Sequence, residues 1–248
     1  MEHGTLVLLR HGESELNAAG VFTGLLDVGL SERGRDQARR AARLLAAAGI
    51  LPQRVWTSPM RRAVATTEEV VRELGLDAAL VAPSWRLAER DYGSLTGVPK
   101  TAARERYGPE GYVTVRRTLD GSPGPATEAE RARWPVAPYV EEGSGLPEPG
   151  SGETLREVVD RVAPVWPRLR ADLEAGRTLL VVGHGNSLRG LCLVLHDLAP
   201  QEVEELNIPP GQPLVSTWSD GALRPRGGRY LDEAAHAEAR RIAAEGGT

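Results

Sequence analysis

Two histidines stand in nearly the same setting in this chain of 248 residues. One residue separates His11 from the apolar run at 6–9 (LVLL), and one residue separates His184 from the run at 179–182 (LLVV). In each case the histidine is followed by glycine, one further residue and serine. Short apolar runs are typical of buried strands. We therefore predict that each histidine lies where a buried strand ends and a helix begins.

Such a position is suited to binding an anion. Ligands of open α/β sheets bind at the carboxyl ends of the strands, and helix N-termini offer unpaired N–H groups and a positive dipole end. A neutral imidazole is also a usable nucleophile near neutral pH. If the two strands are neighbours, both histidines face one crevice. The alternative is two unrelated histidines whose rings are satisfied by backbone carbonyls.

The remaining histidines do not indicate a metal site. His3, His196 and His236 lack the spacing that places two ligands on one helix face. The single cysteine, Cys192, excludes a cysteine-based zinc site and an intrachain disulfide. We therefore expect no metal.

Strand-like and helix-like segments alternate along the chain. The predicted strands are 5–9, 55–57, 79–81 and 179–182, and the predicted helices are 31–48, 59–74, 153–173 and 187–196. This alternation predicts an α/β fold, a three-layer α/β/α sandwich around a mostly parallel sheet.

We interpret residues 1–248 as a single domain with two irregular parts. Residues 119–152 are rich in Gly, Pro, Ser and Glu, and we interpret them as a loop-rich excursion from the domain; a flexible surface loop is the alternative. The tail from about residue 227 is rich in alanine and charge, and is predicted to be a mobile, loosely held helix.

Composition excludes several classes of protein. The net charge of −4 argues against a nucleic-acid-binding protein, which would be basic overall. No apolar run approaches the roughly 20 residues that span a bilayer, and the N-terminus lacks the layout of a signal peptide. We therefore expect a cytoplasmic protein with neither nucleic-acid nor membrane partners.

The motifs around the histidines resemble those of a known superfamily. Residues 10–17 (RHGESELN) are similar to the R-H-G-E-x-x-x-N signature of histidine phosphatases. Further segments resemble, in order, those of the cofactor-dependent phosphoglycerate mutases within that superfamily: 22–31 (FTGLLDVGLS), 57–63 (TSPMRRA), 85–93 (WRLAERDYG), 152–155 (GETL), 183–189 (GHGNSLR) and 207–209 (NIP).

The resemblance implies a phosphate-transfer centre. His11 would be the nucleophile that carries the phosphoryl group. Arg10, Arg62 and His184 would surround that group, and Glu89 would move the proton of the reacting hydroxyl. The resemblance also implies substrate contacts from Asn17, Thr23, Gly24, Tyr92, Lys100, Arg116, Arg117, Gly185 and Asn186.

The implied activity is interconversion of 3- and 2-phosphoglycerate through phosphohistidine, primed by 2,3-bisphosphoglycerate and without a metal. Lys100, Arg116 and Arg117 favour this mutase reaction, because a second basic cluster suits a ligand with several anionic groups. A histidine phosphatase acting on another small phosphoester is the alternative. A non-catalytic phosphate binder is disfavoured, because His11, Arg10 and Glu89 are all retained. A homodimer and a homotetramer both stay open.

Four positions depart from the mutase pattern. Leu25 stands where the mutases have Trp, Ala88 where they have Asn, Asp91 where they have His, and Val115 where they have Trp. We expect these residues to lie beside the substrate contacts, and therefore to bear on the identity of the substrate.

Overall fold

The computed structural model describes residues 4–244, and within them six strands form one sheet. The strands are β1 (Thr5–Arg10), β2 (Arg54–Thr57), β3 (Val81–Pro83), β4 (Thr178–Gly183), β5 (Leu214–Ser219) and β6 (Ala222–Tyr230). Their order across the sheet is β3-β2-β4-β1-β5-β6. The first four strands in this order are parallel to one another. β5 pairs antiparallel with β1, and β6 pairs antiparallel with β5.

Helices connect the strands and flank the sheet. They are α1 (Glu15–Ala18), α2 (Glu32–Ala47), α3 (Arg61–Leu74), α4 (Lys100–Arg117), α5 (Glu128–Arg131), α6 (Leu155–Val162), α7 (Trp166–Glu174), α8 (Gly185–His196), α9 (Pro200–Glu205) and α10 (Ala234–Ala244). Single 3-10 turns lie at Ala78–Leu80, Trp85–Leu87, Gly93–Leu95 and Ala163–Val165.

The two faces of the sheet are covered by different helices. Leu6 and Leu8 of β1 pack with α6, α7 and α8, whereas Val7 and Leu9 pack with α2 and α3. Successive side chains of a strand point to opposite faces, so a fully apolar strand buries both. The predicted α/β fold, with helices on both sides of a mostly parallel sheet, is confirmed.

The two histidine-bearing strands are neighbours. β1 and β4 pair in parallel with Arg10 opposite Gly183, and the backbone N–H of His11 donates to the carbonyl of Gly183 at 3.0 Å. Their carboxyl ends therefore lie at one edge of the sheet, and His11 and His184 leave that edge side by side.

Some predicted boundaries were wrong. The helix predicted over 153–173 is two helices separated by a 3-10 turn at Ala163–Val165, where Pro164 removes a backbone donor. The strand predicted at 79–81 is displaced, because Asp77 caps a 3-10 turn and β3 begins only at Val81. The helix predicted from 59 begins at Arg61.

The loop-rich segment 119–152 runs back along the loop that follows α1. The backbone N–H of Tyr139 donates to the carbonyl of Leu25 at 2.8 Å, and that of Asp27 donates to Ala137 at 3.1 Å. This segment therefore helps to position residues 23–27, which reach the candidate site.

The C-terminal segment does not begin as a loose helix at residue 227. Gly227–Tyr230 belong to β6, which pairs with β5, and the helix is α10. Ala235 is fully buried in the main core. His3 and residues 245–248 of the predicted tail lie outside the described residues. Over residues 4–244, no helix combines the length and apolar character needed to span a membrane.

Candidate active site

His11 sits in a tight turn between β1 and α1. Gly12 approaches the first turn of α2 so closely that a Cβ there would lie 2.1 Å from the carbonyl oxygen of Gly34. The ring Nδ1 of His11 lies 2.6 Å from the carbonyl oxygen of Gly12. A carbonyl only accepts, so Nδ1 carries the proton. Nε2 of His11 therefore keeps its lone pair, as a nucleophile requires.

The His184 ring lies next to that of His11. Their centroids are 4.9 Å apart with an interplanar angle of 61°, and both residues are buried. His184 is the N-cap of α8, and its Nε2 lies 2.8 Å from Oγ of Ser58. Within residues 4–244 its Nδ1 has no hydrogen-bond partner.

Burial keeps both imidazoles neutral. It lowers the pKa of His11 well below its ordinary value, and the neighbouring Arg62 and Arg10 lower it further. The pKa of His184 is lowered for the same reasons, burial first. A neutral His11 can attack phosphorus at neutral pH without first losing a proton.

Arg10 and Arg62 bring buried positive charge to the histidines. The guanidinium of Arg62 donates to the carbonyls of Leu26 at 2.8 Å and Gly24 at 2.9 Å, which holds the loop after α1. Burial lowers its pKa to about 10, so Arg62 stays a cation at neutral pH. Arg10 donates to the carbonyl of Ile208 at 3.3 Å, and its Nε has no partner among the residues described. That buried donor suits an anion.

Glu89 reaches the same pocket from the segment after β3. Its Oε1 accepts hydrogen bonds from the backbone N–H of Arg90 at 2.8 Å and from the backbone and side chain of Asn186 at 3.2 Å. The Asn186 amide also donates to the hydroxyl of Tyr92 at 2.9 Å. These contacts fix the carboxylate but occupy mainly one oxygen.

These side chains line a small cavity, here called the inner pocket. Its lining residues are Arg10, His11, Asn17, Val21, Phe22, Thr23, Gly24, Arg62, Glu89, Tyr92 and Lys100. Oδ1 of Asn17 accepts from the backbone N–H of Ser14, the N-cap of α1, and the Asn17 amide approaches the hydroxyl of Thr23 at 3.5 Å. The inner pocket can therefore surround a small tetrahedral anion with donors on several sides.

A larger space, here called the outer cavity, adjoins the inner pocket and shares Arg10, Asn17 and Lys100 with it. Its volume is about 480 Å³. The other lining residues are Glu13, Arg33, Gln37, Thr101, Arg104, Tyr112, Arg116, Pro210, Glu238, Arg241 and Ile242. Basic side chains outnumber acidic ones on this lining, and the last three residues come from α10.

Most of the predicted site residues come together, but they do so at different depths. Asn186 and His184 lie behind the inner pocket, where they contact Glu89 and His11, and Gly185 begins α8. Lys100 joins the two spaces, and Arg116 lines the outer cavity. Arg116 donates to the hydroxyl of Tyr112 at 2.6 Å and stacks over the ring of Phe22.

The structure does not bring Arg117 together with the other predicted substrate contacts. Arg117 lines neither space, and its guanidinium donates to the carbonyls of Glu204 at 2.8 and 2.5 Å and of Leu206 at 2.7 Å. Adjacent residues of a helix do not share a face. Arg116 and Arg117 therefore point to different surroundings, and only Arg116 reaches the cavity.

None of the four departures lines either space, although each stands next to a predicted site residue in the chain. Leu25 and Ala88 pack together with Met60 beneath the 119–152 segment. Val115 packs in a cluster around Phe22. Asp91 accepts hydrogen bonds from the backbone N–H groups of residues 150 and 152 at 2.9 and 3.0 Å. These residues serve packing and loop attachment.

Two contributors were not identified from the sequence. Arg104 lies four residues after Lys100 on α4, a spacing that places both on one helix face and could have indicated it. Ser58, the partner of His184, stands inside the segment 57–63 but carries no chemical signal of its own. Within residues 4–244, no group of three or more His, Cys, Asp or Glu side chains could hold a metal ion.

Comparisons with known proteins agree with this geometry. The family model of the histidine phosphatase superfamily (branch 1) matches residues 6–133 and 118–227. A 2,3-bisphosphoglycerate-dependent phosphoglycerate mutase of Clavibacter sepedonicus is 43% identical, over 99% of this chain and 98% of that protein. The protein of the same name from Thermobifida fusca is 44% identical over 95% and 96%.

Among solved structures, a mycobacterial glucosyl-3-phosphoglycerate phosphatase complexed with VO3 superposes with a TM-score of 0.64 at 25% identity. The match covers 86% of this chain and 92% of that chain. The resemblance predicted from the motifs is thus confirmed, and this chain belongs to the histidine phosphatase superfamily.

Proposed function

We propose that this protein is a phosphoglycerate mutase that interconverts 3- and 2-phosphoglycerate, primed by 2,3-bisphosphoglycerate. The observation that carries the proposal is the direct connection between the inner pocket and the basic outer cavity through Arg10, Asn17 and Lys100. A ligand with anionic groups at both ends can span the two spaces. The mutases that are 43–44% identical over nearly the whole chain support the same reaction.

The inner pocket suits phosphoryl transfer to and from His11. Nε2 of His11 attacks phosphorus, the N–P bond forms, and the ester P–O bond breaks. Arg10 and Arg62 offset the charge on the phosphoryl oxygens, because positioning and charge stabilisation do most of the work in this chemistry. Nε of Arg10 is a buried donor without a partner among residues 4–244, which fits an incoming phosphoryl group.

Glu89 is assigned the role of general acid and base, which transfers a proton to and from the reacting oxygen of the substrate. As a carboxylic acid it protonates the oxygen that leaves phosphorus, and as a carboxylate it takes the proton of the hydroxyl that attacks phospho-His11. When bound, 2,3-bisphosphoglycerate supplies the first phosphoryl group. His11 then gives its phosphoryl group to one hydroxyl of the substrate and accepts the other phosphoryl group after the ligand has turned.

We assign to the outer cavity the binding of the end of the ligand that lies away from His11. Lys100 and Arg116 would hold its second anionic group during the turn, and Arg104 adds positive charge at the mouth. Glu238, Arg241 and Ile242 of α10 line the same cavity. We therefore include the C-terminal helix as a cover that limits access of water to phospho-His11. A small phosphorylated acid in the cytoplasm is the expected substrate.

A phosphatase is the second candidate. The solved phosphatase that superposes with a TM-score of 0.64 favours it, and so does an outer cavity of about 480 Å³, which has room for water beside the ligand. In this alternative, water attacks phospho-His11 and inorganic phosphate leaves.

The deciding experiment measures conversion of 3-phosphoglycerate to 2-phosphoglycerate with and without 2,3-bisphosphoglycerate, and follows inorganic phosphate in the same samples. We expect isomerisation that depends on the primer, survives EDTA and is inhibited by vanadate. Release of phosphate without isomerisation would replace the mutase proposal by the phosphatase.

A further inference from the structure

Ser58 is a fully buried hydroxyl between β2 and α3. Its backbone N–H donates to the carbonyl of Val182 at 3.0 Å, which ties it to the end of β4 immediately before the His184 turn. The side chain accordingly reaches the imidazole, with 2.8 Å between Ser58 Oγ and His184 Nε2. The proposed reaction gives this hydroxyl no task.

The hydrogen bonds around Ser58 decide the direction of this contact. Oγ of Ser58 already accepts from the backbone N–H of Met60 at 3.3 Å. A hydroxyl has one proton to donate. Among residues 4–244, the only acceptor within hydrogen-bond distance of that proton is Nε2 of His184. If Nε2 carried the proton instead, both the serine proton and the Nδ1 lone pair of His184 would lack partners among these residues, whereas a serine proton aimed at Nε2 leaves only Nδ1 without one. Unsatisfied buried polar groups are costly, so the serine proton points at the ring.

We propose that Ser58 holds His184 in the tautomer with the proton on Nδ1, so that His184 presents a hydrogen-bond donor to the phosphoryl group on His11. Once Nε2 accepts from Ser58, a neutral imidazole carries its proton on Nδ1. Nδ1 of His184 is buried and has no partner within the described residues, and its ring lies beside that of His11. Ser58 is thus a positioning residue that acts through His184.

The two histidines then present opposite groups to the ligand. The Nδ1–H of His11 donates a hydrogen bond to the carbonyl of Gly12, and the lone pair is on Nε2. The hydroxyl of Ser58 donates a hydrogen bond to Nε2 of His184, and the ring proton is on Nδ1. Burial and the nearby Arg62 keep His184 neutral by lowering its pKa. Its ring therefore carries a single proton, and Ser58 determines which nitrogen holds it. The inference rests on His11 as the phosphorylated residue, and holds whether the acceptor is phosphoglycerate or water.

The direct test is imidazole nitrogen NMR of the ligand-free protein labelled with 15N-histidine, near neutral pH. The His184 signals are assigned by comparison with His184→Gln. We expect Nδ1 to show the shift of a protonated nitrogen and Nε2 that of an unprotonated one. A proton on Nε2 of His184 would overturn the proposal. This readout does not depend on catalysis, so failure of the mutase proposal would leave it intact.

Variants separate positioning from folding. Ser58→Ala removes the hydroxyl, Ser58→Thr keeps one, and Thr67→Val removes a different buried hydroxyl that bonds to Ala63 and Thr57 instead. We expect Ser58→Ala to weaken vanadate binding about tenfold, as loss of an oriented hydrogen bond to an anion would, and to abolish the exclusive Nδ1–H signal of His184. Ser58→Thr should restore both properties, and Thr67→Val should change neither.

Two results would count against the role of Ser58. One is a Ser58→Ala protein that keeps both the Nδ1–H signal and wild-type vanadate affinity. The other is equal weakening in Ser58→Ala and Thr67→Val, which would make the effect one of packing. Circular dichroism melts establish that each variant is folded, and the wild-type spectrum decides the tautomer even if Ser58→Ala does not fold.

Discussion

The inner pocket and the outer cavity are adjacent but built in different ways. Buried side chains tied to backbone groups form the inner pocket: Arg62 to the loop after α1, and His11 to Gly12. Long side chains of α4 and residues of α10 form much of the outer cavity. In the proposed reaction, the inner pocket therefore governs the transfer of a phosphoryl group to His11, and the outer cavity governs which molecule receives it.

The largest effect is expected from the inner pocket. His11→Ala removes the nucleophile, and activity should fall by about 10⁴-fold or more, because His11 is the only histidine among the described residues that lines the inner pocket. Mass spectrometry after incubation with 2,3-bisphosphoglycerate should show an acid-labile phosphoryl group on wild type only. Equal labelling of the variant would contradict the assignment, and a melt matching wild type would confirm that it is folded.

Glu89→Gln should separate proton transfer from binding. The amide oxygen can still accept from Arg90 and Asn186, but the side chain no longer exchanges a proton. We expect kcat to fall about 10²- to 10⁴-fold for phosphoglycerate. Phosphorylation of His11 by a donor with an acidic leaving group should fall far less. A similar loss with both donors would argue that Glu89 only holds the pocket together.

Within the outer cavity, the prediction concerns α4. Lys100→Met should lower kcat/KM for isomerisation about tenfold to a hundredfold, through loss of a charge-assisted contact, with slower substrate binding rather than slower labelling of His11 by a small donor. Arg117→Ala is the matched control. Because Arg117 binds the carbonyls of Glu204 and Leu206, this variant should lose stability rather than specificity. The reverse pattern would restore Arg117 to the substrate site.

Removal of α10 tests the cover over the outer cavity. A chain ending after Glu233 keeps β6 and the contact of Asp232 with Arg40. We expect the ratio of hydrolysis to transfer to rise several-fold, since water gains access to phospho-His11. Arg240→Ala, on α10 but away from the outer cavity, should leave the ratio unchanged. An unchanged ratio in the truncated chain would remove α10 from the mechanism.

Histidine burial predicts a dependence of stability on pH. Burial lowers the pKa of His11 and His184, and it lowers that of His196 to about 4. The unfolded chain therefore binds protons below about pH 6.5 that the folded protein does not, so stability is complete above that pH and declines below it. His196 alone should cost about 1 kcal/mol at pH 5.5. Urea unfolding at pH 7.5 and 5.5 should show this loss, and His196→Gln should reduce it.

The juxtaposition of the two histidines was predictable from local patterns in the sequence, whereas most of the other inner-pocket residues were predicted from the family resemblance. The apolar runs before His11 and His184 specify buried strands, and their parallel pairing brings the two turns together. The outer cavity was less predictable. α4 bends at Gly108 and Pro109, which the sequence pattern did not indicate. Arg116 and Arg117 are adjacent on this helix and face different sides, so that only Arg116 lines the outer cavity.

Longer-range packing explains the other differences. Gly227 and Gly228 have positive φ and lie in an irregular part of β6, yet pairing with β5 at Arg224 and Arg229 keeps this segment in the sheet. Asp91 precedes Tyr92 of the inner pocket, but its hydrogen-bond partners, residues 150–152, lie some 60 positions away and are not visible in the local pattern. Residue type alone does not reveal which way a side chain faces.

The most direct test of the account follows the phosphoryl group after it has reached His11. Phosphoenzyme is prepared with labelled 2,3-bisphosphoglycerate, freed of excess ligand and mixed rapidly with 3-phosphoglycerate. We expect the label to move from His11 into bisphosphoglycerate and monophosphoglycerate faster than it appears as inorganic phosphate. Release of the label only as inorganic phosphate, at a rate that 3-phosphoglycerate does not change, would contradict the mutase assignment.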